Sequence, residues 1–190
     1  MKKSLGARAV PVAAPAWLVG TYDAEGKPNA AAVAWAGICC SKPPCLNFSL
    51  RKATYSYAAV LERKCFTLSV PSEEHAVATD FFGIYSGRDH DKFEIAGLTS
   101  VKSEHVEAPY VGEFPLVFEC RLVHHHDLGL HTVFVGEILD AKCDEGLLDE
   151  KDKPVVAKLK PFVYGNGEYF ALGARIGAGH CDGKKLMGSS

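Results

Sequence analysis

Short runs of apolar and β-branched residues, separated by turn residues, recur along the chain and predict a mainly β protein. The predicted strands cover residues 12–22, 29–38, 45–50, 65–70, 115–127, 131–143, 162–164 and 169–172. Turn sequences such as Asp23-Ala24-Glu25-Gly26 and Gly165-Asn166-Gly167 separate neighbouring strands and favour hairpins. Because many strands with regular turns and few helices are typical of closed β architectures, the pattern predicts an antiparallel Greek-key barrel.

Helical spacing appears directly after the third predicted strand. Tyr57, Val60 and Leu61 stand at positions i, i+3 and i+4, which predicts a helix over residues 55–63. Thr54 precedes this helix and is a candidate N-cap residue, because its hydroxyl can accept a hydrogen bond from a free N–H of the first turn.

A second helix is predicted to begin at Ser72-Glu73-Glu74, where two carboxylates lie near the positive end of the helix dipole. Its predicted inward face carries Ala76, Val77 and Phe81. The following residues, 83–93, are rich in glycine and charge and predict a loop.

The chain has 190 residues, enough for a full hydrophobic core, and we expect a single domain over residues 1–190. Residues 175–190 are rich in glycine and predict a C-terminal tail, either a loose arm or a segment that wraps a partner. The net charge of −2 and the pI of about 6.4 leave no basic face suited to nucleic acid.

No apolar run reaches the length of a membrane span. Pro11 and Pro15 interrupt the N-terminal segment where a secretory signal would be continuously apolar. We therefore expect a cytoplasmic protein with neither nucleic acid nor membrane among its partners.

Seven cysteines are spread along the chain, and their odd number and scatter argue against a disulfide framework. Cys39, Cys40 and Cys45 lie close together in the sequence, as zinc or iron–sulfur ligands often do. The paired C-x-x-C spacing of such sites is absent, so we expect buried, reduced thiols.

Three consecutive histidines, His124-His125-His126, fall within a predicted strand. Successive side chains of a strand point to opposite faces, so His124 and His126 share one face and His125 takes the other. Because three ligands cannot converge from this triplet alone, we interpret it as part of an edge strand and not as a metal site.

A predicted strand-to-helix junction, Ser49-Leu50-Arg51-Lys52-Ala53-Thr54-Tyr55, combines two cations and two hydroxyls with the free N–H groups of a helix start. Such a junction suits a phosphate. The segment Ser86-Gly87-Arg88-Asp89-His90-Asp91-Lys92-Phe93 adds a glycine-bearing loop with two further cations. We predict Arg51 and Lys92 as phosphate ligands and Thr54 as a hydroxyl donor, since arginine binds phosphate through two N–H groups and lysine supplies a compact charge.

Two further cations near this junction are weaker candidates. For Lys52 and Arg88 we favour solvated surface positions over phosphate contacts. An ordinary capped surface helix with basic residues in solvent is the alternative interpretation of the whole junction.

Trp35 lies in a strand of small residues, Ala30-Ala31-Ala32-Val33-Ala34-Trp35-Ala36-Gly37. Small residues let a flat aromatic ligand approach the backbone, whereas a strand that only packs a core usually carries larger aliphatic side chains. The alternative is that Trp35 fills the barrel interior.

The chain resembles the flavin reductase-like family of FMN-binding split barrels. Four motifs carry the resemblance and occur in the family's order: Asn29-x-x-x-Val33-Ala34-Trp35-Ala36-Gly37, Ser49-x-Arg51-x-x-Thr54-Tyr55, Ser86-Gly87-x-x-x-Asp91-Lys92-Phe93 and His131-Thr132-Val133-Phe134-Val135-Gly136-Glu137-Ile138. The similarity extends over residues 10–174, nearly the whole chain. It implies a split barrel with FMN as cofactor.

The resemblance also implies roles for particular residues. Trp35, Ala36 and Gly37 would contact the isoalloxazine ring through the main chain and stabilise negative charge on the reduced ring. His131 would lie beside the flavin or the path of a nicotinamide, and a buried structural histidine is an equal alternative. The expected cofactor-binding residues are Trp35, Ala36, Gly37, Ser49, Leu50, Arg51, Thr54, Tyr55, Lys92 and His131.

The resemblance favours an FMN electron carrier that works between cytoplasmic redox proteins. No G-x-G-x-x-G stands between a strand and a helix, so the sequence lacks a Rossmann motif for nicotinamide. Two alternatives stay open, an NAD(P)H:flavin oxidoreductase and a non-redox FMN-binding or storage protein. Because the family is generally dimeric, we expect a homodimer with FMN near its interface, and a redox-protein donor and acceptor as partners.

Overall fold

The computed structural model describes residues 1–187, and antiparallel strands form most of its regular structure. The strands are β1 (Ala14–Pro15), β2 (Trp17–Tyr22), β3 (Pro28–Val33), β4 (Ala36–Ser41), β5 (Pro44–Arg51), β6 (Cys65–Val70), β7 (Ser100–Lys102), β8 (Pro109–Val111), β9 (Leu116–Asp127), β10 (His131–Cys143), β11 (Phe162–Gly165) and β12 (Glu168–Ala171). The helices are α1 (Ser56–Arg63), α2 (Ala76–Ile84), α3 (Lys92–Ala96) and α4 (Val156–Leu159), with 3₁₀ turns at Glu73–His75, Glu145–Leu147 and Asp182–Met187. The prediction of a mainly β fold with a few flanking helices is confirmed.

The main sheet has seven strands in the order β3-β2-β6-β9-β10-β5-β4. Strand β6 lies between β2 and β9, and β10 lies between β9 and β5, so strands far apart in the chain become antiparallel neighbours. This non-sequential pairing is the Greek-key connection that the sequence predicts. Two smaller sheets, β1-β11-β12 and β7-β8, complete the strand pairing.

The core has two parts, one on each face of the β2–β3 hairpin. Phe48, Phe66 and Phe134 are fully buried in the larger part, with ring centroids 4.7 Å and 5.3 Å from that of Phe48. In the smaller part Phe82 and Phe93 pack with Leu18, which attaches α2 and α3 to the sheet. Since neighbouring residues of a strand face opposite ways, one hairpin supports both parts of the core.

The inward face of helix α2 matches the predicted one only in part, since Phe81 packs partly buried against the core. Thr79 and Phe82 are its buried residues, whereas the predicted core residue Val77 is 85% exposed. A 3₁₀ turn at Glu73–His75 precedes the α-helix. A 3₁₀ turn has about three residues per turn, whereas an α-helix has about 3.6. An inward face predicted by counting at α-helical spacing from Glu73 therefore coincides only in part with the buried face of α2.

The strand predicted over residues 29–38 is two strands with a bend between them. Strand β3 ends at Val33 and β4 begins at Ala36, and Ser49 N–H donates a hydrogen bond to the Trp35 carbonyl oxygen at 2.9 Å across the break. Helices α3 and α4 and strands β7 and β8 also lie outside the predicted elements, because segments of three to five residues are too short for a hydrophobic period to appear.

The predicted C-terminal tail has little regular structure. The 3₁₀ turn at Asp182–Met187 is its one such element among the residues described, and Ile176 and Leu186 are exposed. Residues 188–190 of the predicted tail lie outside the described residues. In residues 1–187 no helix combines the length and the apolar character that a membrane crossing needs.

Candidate functional site

A cavity of about 310 Å³ lies where three separate segments of the chain meet. These are the end of β3 with the bend after it (residues 31–35), the β5–α1 junction (residues 49–51 and 53–55), and the end of α2 with the loop after it (residues 82–87). Asn29, Lys92 and His131 complete the lining. The volume falls in the usual range of small-molecule pockets, about 300–1,000 Å³. We call this space the main cavity.

Most of the predicted cofactor-binding residues meet in the main cavity. Those that line it are Trp35, Ser49, Leu50, Arg51, Thr54, Tyr55, Lys92 and His131. Ala36 and Gly37 do not line it and instead line a second, apolar cavity together with Trp17. After the bend at Trp35 the chain pairs with β5 as strand β4, which leads these two residues away from the main cavity.

The β5–α1 junction presents its polar groups in a tight turn. Thr54 N–H donates to the Arg51 carbonyl oxygen at 2.9 Å, and Tyr57 N–H donates to the Thr54 carbonyl oxygen at 2.9 Å. Helix α1 begins at Ser56, so the N-cap position falls on Tyr55 and the prediction of Thr54 as N-cap is wrong by one residue. The cause is the Arg51–Thr54 turn, which places Thr54 before the helix. Its hydroxyl is thereby not committed to a cap.

Lys92 is a buried cation in the wall of the main cavity, only 4% exposed. Its Nζ donates a hydrogen bond to the Phe82 carbonyl oxygen at 3.1 Å. Burial lowers the pKa of this amine to about 8, because the charged form loses its hydration. Within residues 1–187 no carboxylate lies at ion-pair distance from it. Because an unpaired buried charge is energetically unfavourable, this ammonium group would be stabilised by an anion that the described chain does not supply, such as a ligand.

The other basic residues of the two motifs fall into two groups. Lys52 forms an exposed ion pair with Asp127, and Arg88 lies over the Tyr55 ring, 5.5 Å from its centroid, so both have partners at the surface as expected. Arg51 lines the main cavity, and it has no carboxylate partner in the part of the chain that the structure describes. Arg51 and Lys92 are therefore the cations available to an anionic ligand.

Asn29 was not predicted as a site residue, although it belongs to the first motif. It is buried, and its Nδ2 donates to Ser56 Oγ at 2.8 Å, while its Oδ1 is buried without a hydrogen-bond partner. Gly87 approaches closely, since a Cβ on it would lie 2.1 Å from Asn29 Oδ1. An amide in an otherwise apolar strand is the sequence signal that points to Asn29, because buried polar groups normally have partners.

Trp35 lines the main cavity and is 40% exposed, which excludes the alternative that it fills the barrel interior. His131 is half-buried and stands opposite Arg51 in the β10–β5 ladder. The ladder thus places a second ionisable side chain beside the candidate phosphate ligand. A fully buried structural role for His131 does not match this exposure.

The histidine triplet has one free strand edge. The pairing of β9 with β6 reaches only as far as Arg121, which lies opposite Cys65, the first residue of β6. The three histidines beyond it pair with β10 alone among the described strands, and all three are exposed. Residues 1–187 hold no group of three or more His, Cys, Asp or Glu residues arranged for a metal ion. The pairing of the triplet with β10 alone, within the described chain, agrees with the edge-strand interpretation.

The cysteines are free thiols, but not all of them are buried. Cys45 is buried as predicted, and Cys65 and Cys120 are buried as well. The prediction is wrong for Cys39 and Cys40, which are exposed, and Cys181 is also exposed. Cys39 and Cys40 lie on β4, and β4 forms an edge of the main sheet that leaves their side chains open to solvent.

Comparisons with known proteins agree with this architecture. Residues 8–173 match the family described as "Flavin reductase like domain", and the chain belongs to this family. It is similar to the flavoredoxin of Desulfovibrio vulgaris (Miyazaki F), with 48% identity and a TM-score of 0.93 over 97% of this chain and 100% of that one. A flavoredoxin from Methanosarcina acetivorans is 27% identical with a TM-score of 0.88, covering 98% of both chains.

A relative named for an enzymatic activity also matches. The ferric-chelate reductase (NAD(P)H) of Archaeoglobus fulgidus is 32% identical over 103 residues, which are 54% of this chain and 60% of that protein. Together the comparisons confirm both the family resemblance and the split-barrel fold predicted from the sequence.

The main cavity fits a flavin, and the chain is a flavoprotein of this family. Ala31, Ala32 and Ala34 give one wall the small side chains that a flat ring system needs. The buried, unpartnered Asn29 Oδ1 can accept a hydrogen bond from a ligand hydroxyl.

Proposed function

We propose that the main cavity binds FMN and that the protein carries electrons between redox proteins. The observation that supports FMN is the charge of the cavity wall, where Arg51 and the buried Lys92 have no carboxylate partner in the described chain. The terminal phosphate of FMN would supply the missing negative charge. Riboflavin has no such group, and the phosphates of FAD are both esterified and carry an adenosine as well.

Each cavity residue has a specific part in holding the cofactor. Arg51 would bind the phosphate through two N–H groups, Lys92 through its compact charge and Thr54 through its hydroxyl. Asn29 Oδ1 would accept from a ribityl hydroxyl. Trp35, at 40% exposure, would cover part of the ligand and keep water from it. When bound, FMN supplies one- and two-electron redox chemistry, and the protein positions it and sets its electrostatic surroundings.

The carrier role has two supports. The chain matches two flavoredoxins over nearly its full length, and it has no Rossmann motif for a nicotinamide. We propose a redox-protein donor and acceptor in the cytoplasm, because seven free thiols suit a reducing compartment. The second candidate is an NAD(P)H:flavin oxidoreductase, which the similarity to a ferric-chelate reductase (NAD(P)H) favours.

We further propose a homodimer that covers the second, apolar cavity. Its lining includes Ile38, Val156 and Leu172, which are 58%, 56% and 47% exposed in the single chain. An exposed apolar patch of this kind marks an interface more often than free surface. Ala36 and Gly37 line it directly after Trp35, so a second copy seated there would lie next to the main cavity. Sedimentation should give a dimer, and Ile38→Lys should give a monomer with unchanged secondary structure.

Two measurements test the cofactor and the carrier role. The purified protein should be yellow, and acid should release FMN; released FAD, or a colourless protein that cannot be reconstituted, would contradict the proposal. Anaerobic stopped-flow mixing with NADH, NADPH and a reduced ferredoxin-type protein then separates the functions. If only the ferredoxin-type donor reduces the bound flavin quickly, the protein is a carrier. Saturable reduction of the flavin by NADH or NADPH supports the reductase, and no reduction by any of the three donors supports storage.

A further inference from the structure

Two thiols face each other across the β4–β5 hairpin. Cys40 and Cys45 are directly opposed in the antiparallel register, one pair in from Ser41 and Pro44, which close the turn. Directly opposed residues have Cα atoms about 4.5–5.5 Å apart. Disulfides span Cα separations of about 4.4–6.8 Å, so the backbone already holds these cysteines at bonding range.

The two thiols differ in their access to solvent. Cys40 is exposed, and Cys45 is only 7% exposed. Burial raises the pKa of the Cys45 thiol, and Cys40, Cys39 and the Glu137 carboxylate raise it further. An exposed thiol beside a buried one suits a two-step exchange, in which the first attacks an external disulfide and the second resolves the product.

The neighbouring Cys39 does not turn this pair into a metal site. No group of three metal-binding side chains is present in residues 1–187. Cys39 also lies at a register shift between Ile38 and Cys40 and has no directly opposed partner in β5, whereas Cys40 is opposed to Cys45. Cys40 and Cys45 are therefore a dithiol pair.

We propose that Cys40 and Cys45 form a thiol/disulfide redox site whose oxidant is a low-molecular-weight aliphatic disulfide of the glutathione type. The Cys40 thiolate attacks one sulfur of the oxidant, the oxidant's S–S bond breaks, and one thiolate leaves. Cys45 then loses its proton and attacks the Cys40 sulfur of the mixed disulfide, which releases the second thiolate. The protein loses two electrons and two protons, and the oxidant becomes two thiols.

This site is separate from the main cavity. Cys45 and the cavity residue Ser49 lie on the same strand, four residues apart, which is about 13 Å at 3.3 Å per residue. Neither Cys40 nor Cys45 lines either cavity described above. The proposal therefore does not depend on which cofactor the protein binds.

The test uses the full chain with two other exposed thiols removed, Cys39→Ser and Cys181→Ser. After anaerobic treatment with oxidised glutathione, we expect the intact mass to fall by two hydrogen atoms, with no glutathione attached to the pair. Adding Cys45→Ser should trap one glutathione on Cys40. Adding Cys40→Ser should abolish both products, and the matched control Cys143→Ser should still lose two hydrogen atoms.

A stable glutathione adduct in the background protein, no reaction at all, or a disulfide that survives Cys40→Ser would each overturn the proposal. The unsubstituted chain gives a second measurement that does not depend on the folding of variants. After oxidation and digestion, peptide fragments from cleavage between Cys40 and Cys45 should be missing from the mass spectrum and should appear after reduction. Their presence before reduction would also overturn the proposal.

Discussion

The Lys92 amine donates to the carbonyl oxygen of Phe82 at 3.1 Å and lies 5.1 Å from the centroid of the Phe82 ring. One hydrogen bond and one aromatic face replace most of the water that the ammonium group would otherwise bind. Burial therefore lowers the pKa of Lys92 to about 8, close enough to neutrality to matter for ligand binding.

We expect the affinity for FMN to fall as the pH rises above about 8, the pKa of the free Lys92 amine. A bound phosphate favours the protonated amine, so binding takes up a proton above this pH. The affinity should then fall by up to about tenfold per pH unit, the limit for one linked proton. Fluorescence titration should show this slope for FMN, a flat response for riboflavin, and no such slope in Lys92→Met. Equal slopes for both ligands would show that the titrating group is not on the phosphate.

The same residue should affect the stability of the unliganded protein in the opposite direction. Its folded pKa of about 8 lies below the unfolded value of about 10.4, so the unfolded chain binds more protons between these pH values. The contribution of Lys92 to stability therefore rises with pH through this window. Lys92→Met should be more stable than the parent at neutral pH, by up to about 3 kcal/mol, and the difference should narrow toward pH 10. Urea unfolding of both proteins at several pH values measures this.

Arg51 should distinguish FMN from riboflavin. Arg51→Ala should weaken FMN binding by about 1.5–3 kcal/mol, the range for a hydrogen bond to a charged group. Riboflavin should bind the parent and the variant almost equally, because it lacks the phosphate. Lys52→Ala is the matched control and should change neither affinity much, since Lys52 pairs with Asp127. If Arg51→Ala weakens both ligands alike, Arg51 does not contact the phosphate.

The sequence predicts the long strands of this fold better than the contacts between distant segments. The predicted strand over residues 131–143 coincides with β10. Its thirteen residues are enough for the alternation of apolar and polar positions to be recognised. The bend at Trp35 carries no glycine or proline and arises from the hydrogen bond of its carbonyl oxygen with Ser49. Only tertiary pairing creates that bend, so the position of Ala36 and Gly37 outside the main cavity could not be predicted.

In the site too, the sequence predicts which residues take part better than the tertiary contacts that define their roles. Motifs identify Arg51 and Lys92 by residue type, and the fold brings both to one cavity. The burial of Lys92 depends on Phe82, which lies in a helix whose inward face the sequence predicts only in part. The role of Asn29 depends on the close approach of Gly87, which is likewise a contact between distant segments.

A buried ion pair outside the site should stabilise the fold at neutral pH and lose this effect in acid. Glu119 is fully buried and accepts hydrogen bonds from His105 N–H at 2.7 Å and Lys142 Nζ at 3.0 Å. Burial alone would raise the pKa of Glu119, but the His105 N–H, Lys142 and the Glu104 N–H outweigh it and lower the pKa. The stability from Glu119 is therefore present above its unfolded pKa, about 4.3, and is lost as the pH falls through the lower folded value.

Removing Lys142 should leave the Glu119 carboxylate buried without its counter-charge. Lys142→Met should destabilise the protein by about 3–5 kcal/mol, as for other broken buried pairs. Arg121→Met is the control, because its pair with Glu137 is exposed and should be worth less than about 1 kcal/mol. Chemical unfolding at neutral pH compares the two. Equal losses in both variants would show that burial of Glu119 does not determine the cost.

Gly87 should be required for the shape of the main cavity. A Cβ at this position would lie 2.1 Å from Asn29 Oδ1 and 3.1 Å from Tyr55 Cδ1, and both residues line the cavity. Since Asn29 is buried and bonded to Ser56, Gly87→Ala must displace the loop, and we expect FMN affinity to fall by about tenfold, or about 1.4 kcal/mol. Gly87→Ala should weaken riboflavin binding to the same extent, because the displaced groups would contact the ring and ribityl chain that both ligands share. Arg51→Ala, in contrast, should weaken FMN binding only.

Gly37→Ala is the matched control for this prediction. In the single chain a Cβ there would meet nothing within 4 Å. Gly37 lies outside the main cavity, although the family resemblance implies a contact with the isoalloxazine ring. We therefore expect flavin affinity to stay within about twofold of the parent, or about 0.4 kcal/mol. Titration of both glycine variants with FMN separates the two positions. A larger loss in Gly37→Ala than in Gly87→Ala would show that the ring lies against β4 and that the cavity described here is not where the flavin binds.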